Sequence, residues 1–148
     1  MIRNRFHHCI ILAAALVVLQ FVAGCGRVPG NAEMYQILLK QPMPSGAILV
    51  DSRIRRGVGE IQAYFLIQMP SPEFRAGYPT NVWVRQPGEE DPKMLQLYSE
   101  SIGRSLGPKL EMPLEAEHYL ARLPSRIIRL FWNSKSERLV VWVTSGPA

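Results

Sequence analysis

Few residues of this 148-residue chain combine the type and spacing that chemistry needs. There are two cysteines, Cys9 and Cys25, and three histidines, of which His7 and His8 lie at the N-terminus. His118 stands alone in the body of the chain, beside Glu115 and Glu117. A catalytic histidine needs a nucleophile and an orienting group brought close to it. No serine here sits in a Gly-x-Ser-x-Gly elbow, so His118 reads as a surface or half-buried helix residue. The run Glu89-Glu90-Asp91 consists of adjacent residues, which cannot converge on a cation as the spaced ligands of a calcium loop do. Gly57 and Gly59 lack a following helix and a Gly-Lys-Ser/Thr, so they form no phosphate loop. Glu111, Glu115 and Glu117 read as solvated helix-end acids, and a carboxylate pair for glycan hydrolysis is the one catalytic chemistry left open. The sequence therefore predicts no catalytic residue, no metal and no cofactor.

Two clusters could bind rather than react. Arg53 and Arg55 alternate along an apparent strand and Arg56 opens the following turn. Three guanidinium groups at a hairpin tip suit phosphate, lipid headgroups or an acidic protein surface. Their ordinary role is to blunt a strand edge. The second cluster is Trp83, Trp132 and Trp142, with Tyr64 and Tyr78. On an open sheet face these would make an aromatic contact surface for protein or glycan. The competing reading is core packing, because Trp132 shares a strand face with Ile128 and Leu130.

Cys25 gains its meaning from what precedes it. Residues 1–8 carry Arg3 and Arg5 and no acid, and residues 9–23 are apolar except for Gln20. That is the length of a signal-peptide apolar region and short of the roughly 20 residues that span a bilayer. The segment closes on Val22-Ala23-Gly24-Cys25, which resembles the lipobox of bacterial lipoproteins. The resemblance covers residues 1–25 and implies nothing about the fold beyond. It implies cleavage between Gly24 and Cys25, removal of residues 1–24, and acylation of Cys25 by a diacylglycerol and then by a further chain such as palmitate. Two or more chains make a stable anchor, at about 0.8 kcal/mol per buried methylene. Residue 26 is Gly rather than Asp, which in the enteric-type sorting rule of that class favours the periplasmic face of the outer membrane. A Gram-positive source would place the protein at the cell surface. A short uncleaved anchor, or a secretory signal cut near Ala23, are the other readings of the same segment.

With residues 1–24 removed, 15 of the 17 basic residues remain against all 12 acids, a net charge of +3 rather than +5. A mild excess spread along the chain favours anionic lipid or glycan and does not argue for nucleic acid. Removal of Cys9 and acylation of Cys25 leave no thiol for a disulfide, a metal or a nucleophile. The exported domain must then rest on its core alone.

The elements that would carry these residues follow from periodicity. Residues 25–31 read as the lipidated cysteine and a short Gly- and Pro-containing tether, and residues 32–148 as one α+β domain. A helix is predicted over 32–40, with Met34, Tyr35, Ile37 and Leu38 inward. Strands are predicted over 47–55 and 60–69, joined by a Gly-containing turn, and a third over 80–86 after a Pro-rich loop. Asp91 and Pro92 suit the start of a helix reaching Leu106, and Pro113 opens a second helix to Leu123. Residues 126–132 and 138–144 form a second hairpin. The expected architecture is an antiparallel sheet of about five strands, two hairpins and one single strand, with about three helices packed on one face.

Function follows at the level of class. The expectation is a membrane-tethered, non-catalytic envelope lipoprotein, an accessory or assembly subunit of a cell-envelope complex whose partner is another envelope protein. A ligand-binding or inhibitor module of the periplasm or cell surface is the alternative, and a carboxylate-based hydrolase the third.

Overall fold

Alternating apolar residues and short turns draw most of the chain into one antiparallel sheet. The computed structural model describes residues 29–113 and 115–145. In chain order the elements are helix α1 (Asn31–Leu39), strands β1 (Ile48–Arg56) and β2 (Ile61–Gln68), and helix α2 (Ser71–Gly77). They continue with the short strand β3 (Val84–Arg85), a 3-10 turn (Pro87–Glu89), helix α3 (Pro92–Leu106), and strands β4 (Glu117–Leu123), β5 (Arg126–Asn133) and β6 (Arg138–Ser145). The class is α+β, as the sequence predicts, with six strands in the order β1-β2-β6-β5-β4-β3.

Both predicted hairpins form. Gly57 donates its amide to the Glu60 carbonyl at 2.8 Å, and Gly59 takes φ 75°, a conformation that glycine adopts without steric cost. In the second hairpin the Asn133 carboxamide oxygen accepts from the amides of Lys135 and Ser136 at 2.9 and 3.0 Å. This side-chain turn fixes the β5–β6 register. Helix α3 starts where predicted, with Asp91 accepting from the Lys93 amide at 2.8 Å and Pro92 in the first turn.

Helices cover both faces of the sheet rather than one. Ala63, Phe65, Ile67, Ile128, Leu130, Trp132, Leu139, Val141 and Val143 pack under α1 and α2. Tyr64, Leu66, Phe131, Val140 and Trp142 point the other way, onto Leu95 and Ile102 of α3. Strands β2, β5 and β6 are apolar at consecutive positions, and a strand buried on both faces has that pattern. An apolar second face left in water would be costly, so α3 crosses to cover it.

Two segments depart from the sequence expectation. The predicted helix over 113–123 is instead strand β4, paired with β5 from Glu117↔Trp132 to Leu123↔Arg126. Ala116, Tyr119, Leu120 and Leu123 fit a helical spacing, but Tyr119, Ala121 and Leu123 also alternate, and that set joins the core under α1. Pro124 and Ser125, with Ser125 at φ 61°, make the tight turn into β5. The predicted third strand over 80–86 shrinks to Val84 and Arg85, paired with Leu120 and Tyr119. Residues before it curl as a turn in which the Pro79 carbonyl accepts from Val82 and Trp83. The Pro-rich loop contains α2, because Pro72 lies in its first turn, where no amide bond is lost. Its last residue, Gly77, packs so closely that a Cβ would lie 2.6 Å from Pro44 Cγ. Among the described residues no helix is long and apolar enough to cross a membrane.

Candidate functional site

The three arginines stand where the alternation of β1 puts them. Arg53, Arg55 and Arg56 are exposed on a strand at the edge of the sheet. Arg55 turns toward the face of α3 and donates to the Ser105 carbonyl at 3.3 Å. Arg56, one residue on, turns to the opposite face and reaches Met34 Sδ of α1 at 3.2 Å. Arg53 lies 3.7 Å from Asp51, an exposed pair that contributes little to stability. The cluster is thus divided between two faces but converges on one end of the sheet. Beside it, between Gly57 and Gly59, Val58 is completely exposed.

The tryptophans do not form a surface. Trp83, Trp132 and Trp142 are buried, at 2%, 3% and 7% exposure. Trp132 stacks on Phe74 of α2 with ring centroids 4.4 Å apart, and Trp83 meets Tyr78 edge-on. Trp142 lies on the other face, under α3. The expected aromatic patch is corrected to core packing. Strands β5 and β6 are central and covered on both faces, so neither could present an open aromatic face. Cys25, Gly24 and the rest of the lipobox-like segment lie outside the described residues.

Sequence reading misplaced His118. It is fully buried on β4, stacked on Phe131 at 4.7 Å, rather than on the surface of a helix. Its Nδ1 lies 3.0 Å from Glu89 Oε2, close in distance but not aligned as a hydrogen bond. The Tyr98 hydroxyl donates to the same carboxylate oxygen. Arg129 covers this group, with its guanidinium 5.4 Å from the Tyr98 ring and 5.3 Å from the Trp142 ring. Burial pushes the His118 pKa down, and Arg129 adds to that, while Glu89 and Glu90 oppose it. The imidazole is therefore neutral at pH 7. Burial, and then the bond to Glu89, push the Tyr98 hydroxyl up. His118 faces no serine or cysteine in this set. The cluster is a polar part of the core that holds α3 and the Pro87–Glu89 turn to the sheet. The signal for it was the period-two alternation of 117–123.

A cleft of about 320 Å³ opens at the end of the sheet away from the arginines. Glu90, Glu115, Glu117, Trp132 and Lys135 line it. Each acid has a basic partner: Glu115 with Lys135 at 2.6 Å, Glu90 with Arg85 at 2.8 Å, and Glu117 with Arg85 at 3.6 Å. The bond from Arg85 holds the Glu90 carboxyl below its ordinary range, and the bond from Lys135 does the same for Glu115. A carboxylate-pair hydrolase needs one carboxyl whose pKa is raised so that it can donate a proton. At Glu90 and Glu115 the shift runs the other way. Among the described residues no group of three His, Cys, Asp or Glu is arranged to hold a metal ion.

No family model matches this chain, and neither the curated proteins nor the solved structures contain a match to it.

Proposed function

We propose that this chain is a lipid-anchored envelope protein that acts as a non-catalytic accessory or assembly subunit of a larger envelope complex. The observation that carries the reading is the order of features at the N-terminus: a basic start, an apolar stretch, Val22-Ala23-Gly24-Cys25, and then a domain whose first helix begins at Asn31. Five residues, 26–30, separate the cysteine from that helix, which is six Cα-to-Cα steps. At no more than about 3.6 Å per residue the tether is roughly 20 Å long at most, so an anchor at Cys25 would hold the domain against the lipid surface.

The partner-binding part of the proposal is supported by β1. It is the longer of the two edge strands, nine residues against two in β3, and it carries exposed Ile48 and Val50. An open strand of that length can accept a strand from another chain through main-chain hydrogen bonds. The test is a pull-down of the tagged protein from gently solubilised membranes, with Cys25→Ser as the unlipidated control. A stoichiometric membrane protein recovered with the wild type, and weakened in the control, supports the subunit reading. Recovery of the chain alone contradicts an obligate subunit.

The second reading, a ligand-binding module, draws on the cleft between Glu90 and Lys135. Its lining of charged groups around the Trp132 edge suits a small zwitterionic ligand more than an apolar one. Calorimetric titration with amino acids and amino sugars tests it. Saturable binding that Lys135→Ala abolishes would favour this reading over the first.

A further inference from the structure

The two ends of the sheet carry opposite charge, and the positive end is the one beside the start of the domain. Strand register lines up Arg56, Ile61, Ser145, Arg126 and Leu123 along one end. Arg55, Arg56, Arg122 and Arg126 therefore lie within the last two rows of the sheet. Their contacts are with neutral groups: Arg55 with the Ser105 carbonyl, Arg56 with Met34 Sδ, and Arg126 with the carbonyls of Ile37 and Leu38. Among the described residues none of the four is in an ion pair, although Glu60 shares a small pocket with Arg55, so this end keeps a net positive charge. Glu33 and Glu60 are the acids nearest this end. The opposite end holds Glu111, Glu115, Glu117 and Glu137, against Lys135 and Arg138. At the apex of the positive end stands Val58, fully exposed between two glycines.

We infer that this end of the domain, the Val58 apex with Arg55 and Arg56 beside it and Arg126 and Arg122 two and three strands further along the same end, docks on the anionic headgroup surface of the membrane that anchors the chain. The inference rests on the tethered reading above. Three observations choose lipid as the occupant. Met34, which Arg56 touches, is in the first turn of α1, and that helix begins six residues after Cys25. The arginines carry no bound carboxylate, so their charge is free for phosphate. The acidic end would be repelled by the same surface, which orients the domain. Each basic residue near an anionic surface strengthens attraction about fivefold. A single valine adds only a shallow apolar contact, so docking is reversible and weakens as salt shortens the Debye length from about 10 Å at 0.1 M. Docked this way, the domain turns its cleft and acidic end away from the bilayer.

The test places a fluorophore at each end of the mature, lipidated protein. Val58→Cys and Lys135→Cys are labelled separately and reconstituted into vesicles that contain a nitroxide-bearing lipid quencher. One set of vesicles is phosphatidylcholine, and the other includes about a quarter phosphatidylglycerol. The expected result is flotation with both, and quenching about threefold stronger at position 58 than at 135 in the anionic vesicles only. Adding Arg55→Glu and Arg56→Glu should remove that preference while flotation persists. Circular dichroism of each variant checks that the fold is kept, and both labelled sites are exposed. Flotation with equal quenching at both positions overturns the docking and leaves the anchor standing. Quenching at position 58 that is just as strong in neutral vesicles also overturns it, since charge would then play no part. Failure to float overturns the anchor and the docking together.

Discussion

The two faces of the sheet are closed by different means. Under α1 and α2 the core is apolar and aromatic. Phe65, Ile67, Ile128, Leu130, Leu139, Val141 and Val143 are all fully buried there. Its buried hydroxyls, Tyr35 and Tyr78, bond to each other, and burial pushes Tyr35 to about 12. Under α3 the covering helix buries only Leu95 and Ile102. The remaining space is filled by His118 on Phe131, by Tyr98, and by Arg129 laid over Tyr98 and Trp142. A sheet too apolar for water on either side can thus be finished by hydrophobic packing or by a polar cluster. The second route makes stability depend on pH between about 5 and 7.5, a range in which the first, whose tyrosines titrate only above about pH 10, contributes no change.

Truncation in the apolar face should have the largest effect. Phe65→Ala removes a fully buried ring that meets Tyr35 edge-on at 5.5 Å. It is expected to cost about 3–5 kcal/mol, equally at pH 5 and pH 7.5 by urea denaturation. A cost that changed with pH would erase the contrast between the faces.

The polar face should respond next. Burial holds the His118 pKa below its ordinary value of about 6.5. Between the folded and unfolded values the unfolded chain takes up a proton that the native state refuses. Stability is therefore fully present above about pH 6.5 and falls as pH drops toward the folded value, by at most about 1.4 kcal/mol per pH unit for one proton. His118→Phe, which keeps the stack on Phe131, should flatten that decline in a pH series of urea midpoints. A wild-type curve already flat from pH 7.5 to 5 would contradict the assignment. A separate loss is expected as pH falls from about 4.5, where the unfolded Glu90 carboxyl takes up its proton, toward the lower folded value at which its bond from Arg85 is lost.

Asp91→Ala, which removes the cap of α3, is expected to cost about 1 kcal/mol. Chemical denaturation measures it, with Asp91→Asn retaining most of the stability. Lys135→Ala breaks a solvent-exposed pair with Glu115 and should leave the melting temperature within scatter.

Local pattern made both hairpins, α1 and the start of α3 legible. The unbroken alternation of Ile61, Ala63, Phe65, Ile67 and Met69 placed β2, and all five side together in one core. Strand β4 was hidden because residues 116–123 satisfy a helical spacing as well as a period of two. Only the neighbouring β5 decides between them, and a neighbour is not visible in local periodicity. Helix α2 was hidden by prolines that terminate helices from within but begin them from the first turn. Among the candidate site residues, the exposure of Arg53, Arg55 and Arg56 was legible because charge on an edge strand stays in water. Trp83, Trp132 and Trp142 were legible as two alternatives; packing against α2 and Tyr78 on one face buries Trp132 and Trp83, and α3 on the other buries Trp142. The environment of His118 depends on Glu89, Tyr98 and Arg129, which arrive from three separate elements, so no stretch of sequence contains it.

The proposed lipid anchoring at Cys25 underlies both the proposed subunit role and the proposed docking. The most direct test is the intact mass and N-terminal peptide of the protein purified from bacterial membranes after expression of the full chain. The account predicts a mature chain that begins at Cys25, lacks residues 1–24 and carries the added mass of a diacylglyceryl group, with or without a further acyl chain. Cys25→Ser should abolish the added mass and release the domain from the membrane fraction. A chain that keeps residues 1–24, or one cut near Ala23 with a free Cys25 thiol, would contradict the anchor.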